Sequence, residues 1–130
     1  MNNSKVVRIG GASGFWGDSS VGAPQLVASA QIDYLVFDYL AETTMAILAA
    51  QRRRSPELGY ATDFVDIAMK QVLPAVMRQG IKVVSNAGGI HPQACAQALQ
   101  RMAAHIGDAS LGRESGQRRL HIGRGRTLVA

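Results

Sequence analysis

Asp33-Tyr34-Leu35-Val36-Phe37-Asp38 places four consecutive residues of high strand propensity between two acids, with no polar break among them. Such a run suits an inner strand of a parallel sheet covered on both faces, because a half-solvated strand would alternate apolar with polar residues. Downstream, Ala41, Met45, Leu48 and Ala49 fall at helical spacing, so the strand passes almost directly into a helix. That helix should stop near Arg52-Arg53-Arg54 and Ser55-Pro56. Upstream, residues 24–30 favour another helix, with Asp18, Ser19 and Ser20 available as caps and Pro24 tolerated in its first turn. Earlier still, Lys5-Val6-Val7-Arg8-Ile9 reads as a first strand that delivers the chain into Gly10-Gly11 and a loop ending near Ser20.

On the carboxyl side, Val65, Ala68, Met69, Val72, Leu73 and Val76 repeat at i, i+3, i+4, i+7, i+8 and i+11, the stripe of one long amphipathic helix. Pro74 should kink or divide it, and Gly80 is placed to end it in a left-handed conformation. Ile81-Lys82-Val83-Val84 then begins a third strand, which again runs into glycine. Pro92 opens a last helix in which Cys95, Ala98, Leu99, Met102, Ala103 and Ile106 keep the helical period. The order βαβααβα predicts an α/β fold, a mostly parallel three-stranded sheet with covering helices, Rossmann-like in its wiring. So small a sheet leaves exposed edges, and a missing C-terminal portion or a protein partner is expected to complete it.

Composition narrows the class. A chain of 130 residues with 47% hydrophobic content can bury a core and does not resemble a disordered segment. Cys95 is its only cysteine, which excludes an intrachain disulfide and a Cys-rich zinc site, and no cluster of potential ligands predicts a metal. No secretory core follows Met1, and charges or proline interrupt the helical segments before the roughly 18 apolar residues of a membrane span. A cytoplasmic protein without membrane partners is expected. The net charge of +5 argues little for nucleic acid, since residues 107–130 contribute +3 of it through five arginines and two acids. Arg52-Arg53-Arg54 reads as the solvated end of a helix, where the dipole favours cations.

Residues 1–106 read as one domain and residues 107–130 as a basic, irregular tail rich in Gly, Arg and Ser. Two origins stand for the tail: an authentic disordered extension with weak, salt-dependent affinity for anions, or the product of a shifted reading frame.

Three stretches suggest a ligand site. In Gly10-Gly11-Ala12-Ser13-Gly14-Phe15-Trp16-Gly17-Asp18, glycines at 11, 14 and 17 would let backbone amides approach a ligand, and Ser13, Ser19 and Ser20 add hydroxyls ahead of a helix start that favours anions. The spacing matches neither the dinucleotide fingerprint nor a P-loop, so a tight structural turn with Phe15 and Trp16 as a plug is an equal reading. Asp38, with Glu42 four residues on, ends the second strand, and Asn86 follows the third. In open α/β sheets ligands bind beyond the carboxyl ends of the strands, where these groups and the first loop would converge. The alternative reading has Asp38 and Glu42 serve only the helix start. Gly88 and Gly89 repeat the logic of the first loop before Pro92. His91 reads as a helix-capping residue ahead of a general acid or base, and Cys95 as core.

Four of these stretches also carry a resemblance: Ser13-Gly-Phe-Trp-Gly-Asp-Ser19, Ile32-Asp-Tyr-Leu-Val-Phe-Asp-Tyr-Leu-Ala-Glu42, Leu58-Gly-Tyr-Ala-Thr-Asp-Phe64 and Ile81-Lys-Val-Val-Ser-Asn-Ala-Gly-Gly89. In this order they resemble the amino-terminal part of the acyclic terpene utilisation (AtuA) family. The resemblance implies a role in bacterial breakdown of citronellol and geraniol through acyl-CoA intermediates, and a chain that is the truncated front of a longer protein. Where the family's third loop carries asparagine before proline, this chain has His91. The resemblance supplies neither a reaction nor a cofactor. The expected ligand is an acyl-CoA, a terpenoid or another anionic metabolite at the glycine-rich loops; the alternatives are a non-catalytic interaction protein of the pathway or an inactive fragment.

Overall fold

The structure, a computed structural model, describes residues 4–29, 31–110 and 128–129. Its elements run β1 (Ile9–Ser13), α1 (Gly22–Ser29), β2 (Tyr34–Phe37), α2 (Glu42–Arg54), a π-helical stretch (Phe64–Met69) continuing into α3 (Lys70–Gln79), β3 (Lys82–Ser85), α4 (Pro92–Ser110) and β4 (Leu128–Val129). β1, β2 and β3 are parallel neighbours in that order, and β4 pairs antiparallel with β3 over two residues. The predicted α/β architecture with three parallel strands and covering helices is therefore the observed one.

β1 starts later than expected, because pairing starts where β2 starts. The Arg8 carbonyl accepts the amides of Asp33 (2.8 Å) and Tyr34 (3.2 Å), and Ile9 then aligns with Tyr34. Val6 and Val7 thus stand exposed ahead of the strand, and Gly10-Gly11 lie inside it. Their small size has a packing consequence: a Cβ at Gly10 would meet Ile32 Cδ1 at 3.1 Å and Leu26 Cδ1 at 3.2 Å. Glycine here lets α1 and the chain entering β2 lie close against the strand.

Leu35 and Phe37 of β2, Val83 of β3 and Ala12 of β1 join Val27, Phe64, Met69, Val72, Val76 and Leu99 from the helical segments in a single core. The sheet alternates instead of being covered on both faces: Tyr34 and Val36 are half-buried, Lys82 is exposed, and Ile9 is 66% exposed. The apolar run of β2 therefore does not mark a doubly covered strand. On the open face Lys82 Nζ sits 5.4 Å from the Tyr34 ring centre, its cross-strand neighbour.

The long amphipathic stripe forms as predicted, and the irregularity falls elsewhere. α3 continues through Pro74; the departure from α geometry is in Phe64–Met69, where the Lys70 amide reaches back to the Val65 carbonyl. Lys70, whose carbonyl proline leaves without a donor, lies at an exposed position open to solvent. Gly80 ends α3 at φ 67°, and both its own amide and that of Ile81 bond to the Val76 carbonyl. α4 extends four residues past the expected Ile106, to Ser110. The expected tail lies largely outside the described residues.

Candidate functional site

The carboxyl ends of β1, β2 and β3 are tied together by hydrogen bonds. The Asp38 amide donates to the Ser13 carbonyl (3.2 Å), joining β2 to β1. Asn86 joins β3 to β2 twice: its Nδ2 donates to Asp38 Oδ1 (2.8 Å), and its Oδ1 accepts the Tyr39 amide (2.8 Å). Ser13, Asp38 and Asn86 therefore share one rim, as their positions after successive parallel strands require.

Asn86 has a further effect on Tyr39. With its amide held, Tyr39 extends the buried face of β2 by one more alternate position beyond Leu35 and Phe37. Its ring lies parallel to Phe37, with centroids 6.1 Å apart, and edge-on to Phe64 at 6.0 Å. Three rings thus fix each other at the rim. Burial pushes the Tyr39 hydroxyl up to about 12; the Ser13 hydroxyl opposes that rise, and the carboxylates of Asp63 and Asp18 add to it. The phenol is therefore protonated at neutral pH. Ser13 Oγ is buried without an aligned hydrogen bond, although it is near enough to Tyr39 to influence its titration.

Ser13 and Tyr39 line a small cleft of about 60 Å³ between the end of the sheet and the π-helical stretch. Its floor is apolar, with Ala12, Phe37 and Ala68, and its mouth is polar, with Asp18, Ser20 and Asp63. A more open groove of about 260 Å³ separates α1 from α3, but there the Gln79 amide group is committed to the Val27 carbonyl at 3.0 Å.

The first loop folds around its own carboxylate. Asp18 Oδ2 accepts the Gly14 amide (2.9 Å) and Oδ1 accepts the Ser19 amide (2.7 Å). These two bonds, Gly14's first, hold the Asp18 pKa below its ordinary value. One of the amides expected to cradle an external anion, that of Gly14, is thus occupied by an internal one. Ser19 Oγ accepts the Val21 amide (3.2 Å) just ahead of α1.

Of the residues singled out in the sequence, Ser13, Gly17, Asp18, Ser19 and Ser20 line the cleft, and Asp38 and Asn86 brace its rim. Trp16 packs half-buried on the core, whereas Phe15 is 57% exposed, so the two do not act together as a plug. Gly11 lies within β1, and Glu42 stands exposed in the first turn of α2; neither lines the cleft. Gly88 and Gly89 serve packing. A Cβ at Gly88 would meet Pro92 at 3.0 Å, and one at Gly89 would meet Leu48 Cδ1 at 2.5 Å and the Gly59 carbonyl oxygen at 2.8 Å. His91 joins this second loop to residue 58, its Nδ1 lying 3.0 Å from the Leu58 carbonyl; since a carbonyl can only accept, Nδ1 carries the proton. Arg52 Nη1 donates to the Ile90 carbonyl (2.7 Å), so the first arginine of the triplet closes the end of α2. Cys95 is fully buried, which pushes its thiol up to about 12. Tyr39 and Asp63 are the polar cleft residues that sequence reasoning misses; both lie inside the four quoted motifs.

Among the described residues no three His, Cys, Asp or Glu side chains gather as a metal site, and no helix is long and apolar enough to cross a membrane.

Fold and cleft together define an α/β protein with a mostly parallel sheet and a small pocket, apolar at its floor and polar at its mouth, at the carboxyl ends of its first two strands. The family model of the acyclic terpene utilisation family protein AtuA matches residues 7–112. The chain belongs to that family, and all four motifs that suggested the resemblance fall within the match. No curated protein and no solved structure matches the chain.

Proposed function

We propose that this chain serves acyclic isoprenoid catabolism, the breakdown of citronellol and geraniol, by holding a pathway metabolite at the rim cleft. The observation that carries the proposal is the convergence of Ser13, Asp18 and Tyr39 on one apolar-floored cleft at the strand ends. An acyl-CoA or other anionic metabolite remains the expected ligand. Its anionic portion would stay outside the cleft, because the Gly14 and Ser19 amides already hold Asp18. Trp16 is the only tryptophan in the chain and sits in the loop that borders the cleft. Titration with a branched acyl-CoA should change its fluorescence and raise the melting temperature. Neither change at saturating ligand would remove the proposal.

A second reading, a non-catalytic interaction protein of the same pathway, has one observation in its favour. The open sheet face presents Ile9, Tyr34 and Val36 among the described residues without a covering helix. Co-sedimentation with purified enzymes of the pathway tests it, and independent sedimentation of every pair would count against it.

A further inference from the structure

The cleft has a charge character that bears on which part of a ligand can enter it. Asp18 and Asp63 both stand at its mouth, and their charges add to the rise that burial imposes on the Tyr39 hydroxyl. Among the described residues no lysine or arginine lines it. A carboxylate or phosphate entering here would meet two like charges and, among the described residues, no cation, a repulsion that counts for more where water is partly excluded. Uncharged oxygen faces no such barrier.

The hydroxyls inside the cleft are arranged to serve such an oxygen. Tyr39 is only 5% exposed and held between Phe37 and Phe64, so its hydroxyl has little freedom to turn elsewhere. Ser13 Oγ is buried and has no aligned hydrogen bond, although it lies near enough to the Tyr39 hydroxyl to act on it. If a ligand oxygen accepts the Tyr39 proton, the phenol oxygen becomes a better acceptor for the Ser13 hydroxyl, and both groups are satisfied in one chain. Asp63, across the mouth, can accept a proton from the same ligand if that oxygen belongs to an alcohol. The π-helical stretch that follows Asp63 supplies Ile67 and Ala68 to the apolar lining, and such departures from α geometry recur at ligand sites.

We infer that the cleft admits the uncharged end of its ligand, a hydroxyl or carbonyl oxygen on an apolar stub, with Tyr39 donating to that oxygen, Ser13 supporting Tyr39, and Asp18 and Asp63 turning anionic groups away. The inference rests on the proposed metabolite site and specifies its selectivity. Tyr39 and Asp63 are the specificity-determining residues.

Matched small probes test it on the full chain. Isoamyl alcohol, isovalerate and inorganic phosphate are titrated against Trp16 fluorescence and melting temperature, beside the branched acyl-CoA. The alcohol is expected to bind at least about tenfold more tightly than isovalerate, with phosphate weaker still. Tyr39→Phe should weaken alcohol binding about tenfold, the factor associated with one hydrogen bond, while keeping the ring stack. Asp63→Asn, at an exposed position where folding is not at stake, should narrow the preference by improving isovalerate binding. Equal binding of alcohol and carboxylate to the wild type, or a ratio unchanged by Asp63→Asn, overturns the inference while binding of the acyl-CoA leaves the metabolite site standing. Failure of every compound, the acyl-CoA included, removes the site itself and the inference with it.

Discussion

The β1–α1 loop and the β3–α4 loop have the same grammar, a strand, glycines and then a helix, yet they do different work. At the tip of the first, Gly17 has open space where a Cβ would be and Gly14 has only Asp18 Oδ2 at 3.9 Å. The loop curls around that carboxylate and borders the cleft. The second is filled from outside. Leu48 of α2, the Gly59 carbonyl and Pro92 occupy the space above Gly88 and Gly89, and bonds from Ile90 to Gly59, from Ala61 to Ala87 and from His91 to Leu58 fasten it to residues 58–61. A glycine after a strand therefore does not by itself mark a close approach, since the space above it is open in the first loop and filled by the protein in the second.

The largest expected effect is in the second loop. Gly89 combines φ 54° with a Cβ position 2.8 Å from the Gly59 carbonyl oxygen, so Gly89→Ala adds backbone strain to a contact with backbone that cannot swing away. A loss of about 2–4 kcal/mol in chemical denaturation is expected. A loss under about 1 kcal/mol would show that the loop yields easily and that its packing is not what demands glycine.

Asn86 connects the two regions, since it follows β3 yet holds the Tyr39 amide that sets the cleft wall. Asn86→Ala leaves that part-buried amide and Asp38 without their side-chain partner. About 1–3 kcal/mol should be lost, and Trp16 fluorescence should lose its response to ligand if the displacement reaches the cleft. Retained response with lowered stability would confine Asn86 to bracing.

Alkaline titration separates the cleft from the core below the second loop. Both Cys95 and Tyr39 have folded pKa values above their unfolded ones, so each contributes stability that is present at low pH and lost as pH rises. For Cys95 the loss begins near 9.0 and runs to about 12; for Tyr39 it begins near 10.0 and ends at about the same point. Tyr39→Phe should make the loss above pH 10 smaller by about 1 kcal/mol, a figure discounted because the hydroxyl lines a cleft that opens to solvent. An unchanged alkaline limb would mean that the hydroxyl is solvated in the folded protein.

These contrasts also explain what could be read in the chain before its fold was known. Helical periods identify α2, α3 and α4 because each has an apolar stripe, and Gly80 marks a stop because glycine takes the left-handed turn that ends a helix without a Cβ penalty. β1 is displaced because propensity points to Val6 and Val7, whereas strand pairing selects the glycines that α1 needs beneath it. Part of the site is legible: Ser13, Gly17 and Asp18 follow from glycine and hydroxyl chemistry beside a helix start. Tyr39 carries a signal in the alternation Leu35, Phe37, Tyr39, which Asp38 obscures by seeming to end the strand. Asp63 looks like any acid near a helix start, and its place at the cleft depends on how the π-helical stretch meets the sheet, which no local pattern encodes.

The smallest effect should come from the first loop, and it is the sharpest test of the contrast. Gly14 does not require a positive φ, and its nearest neighbour would lie at ordinary van der Waals distance. Gly14→Ala should therefore change stability by no more than about 0.5 kcal/mol, and the lower entropy of the unfolded chain can make the change favourable. The amide of residue 14 persists in the variant, so its bond to Asp18 should survive. Fluorescence titration should then show ligand affinity altered only if a ligand passes over residue 14. A stability loss approaching that of Gly89→Ala would mean that the first loop is as tightly enclosed as the second, and the two loops would no longer differ in kind.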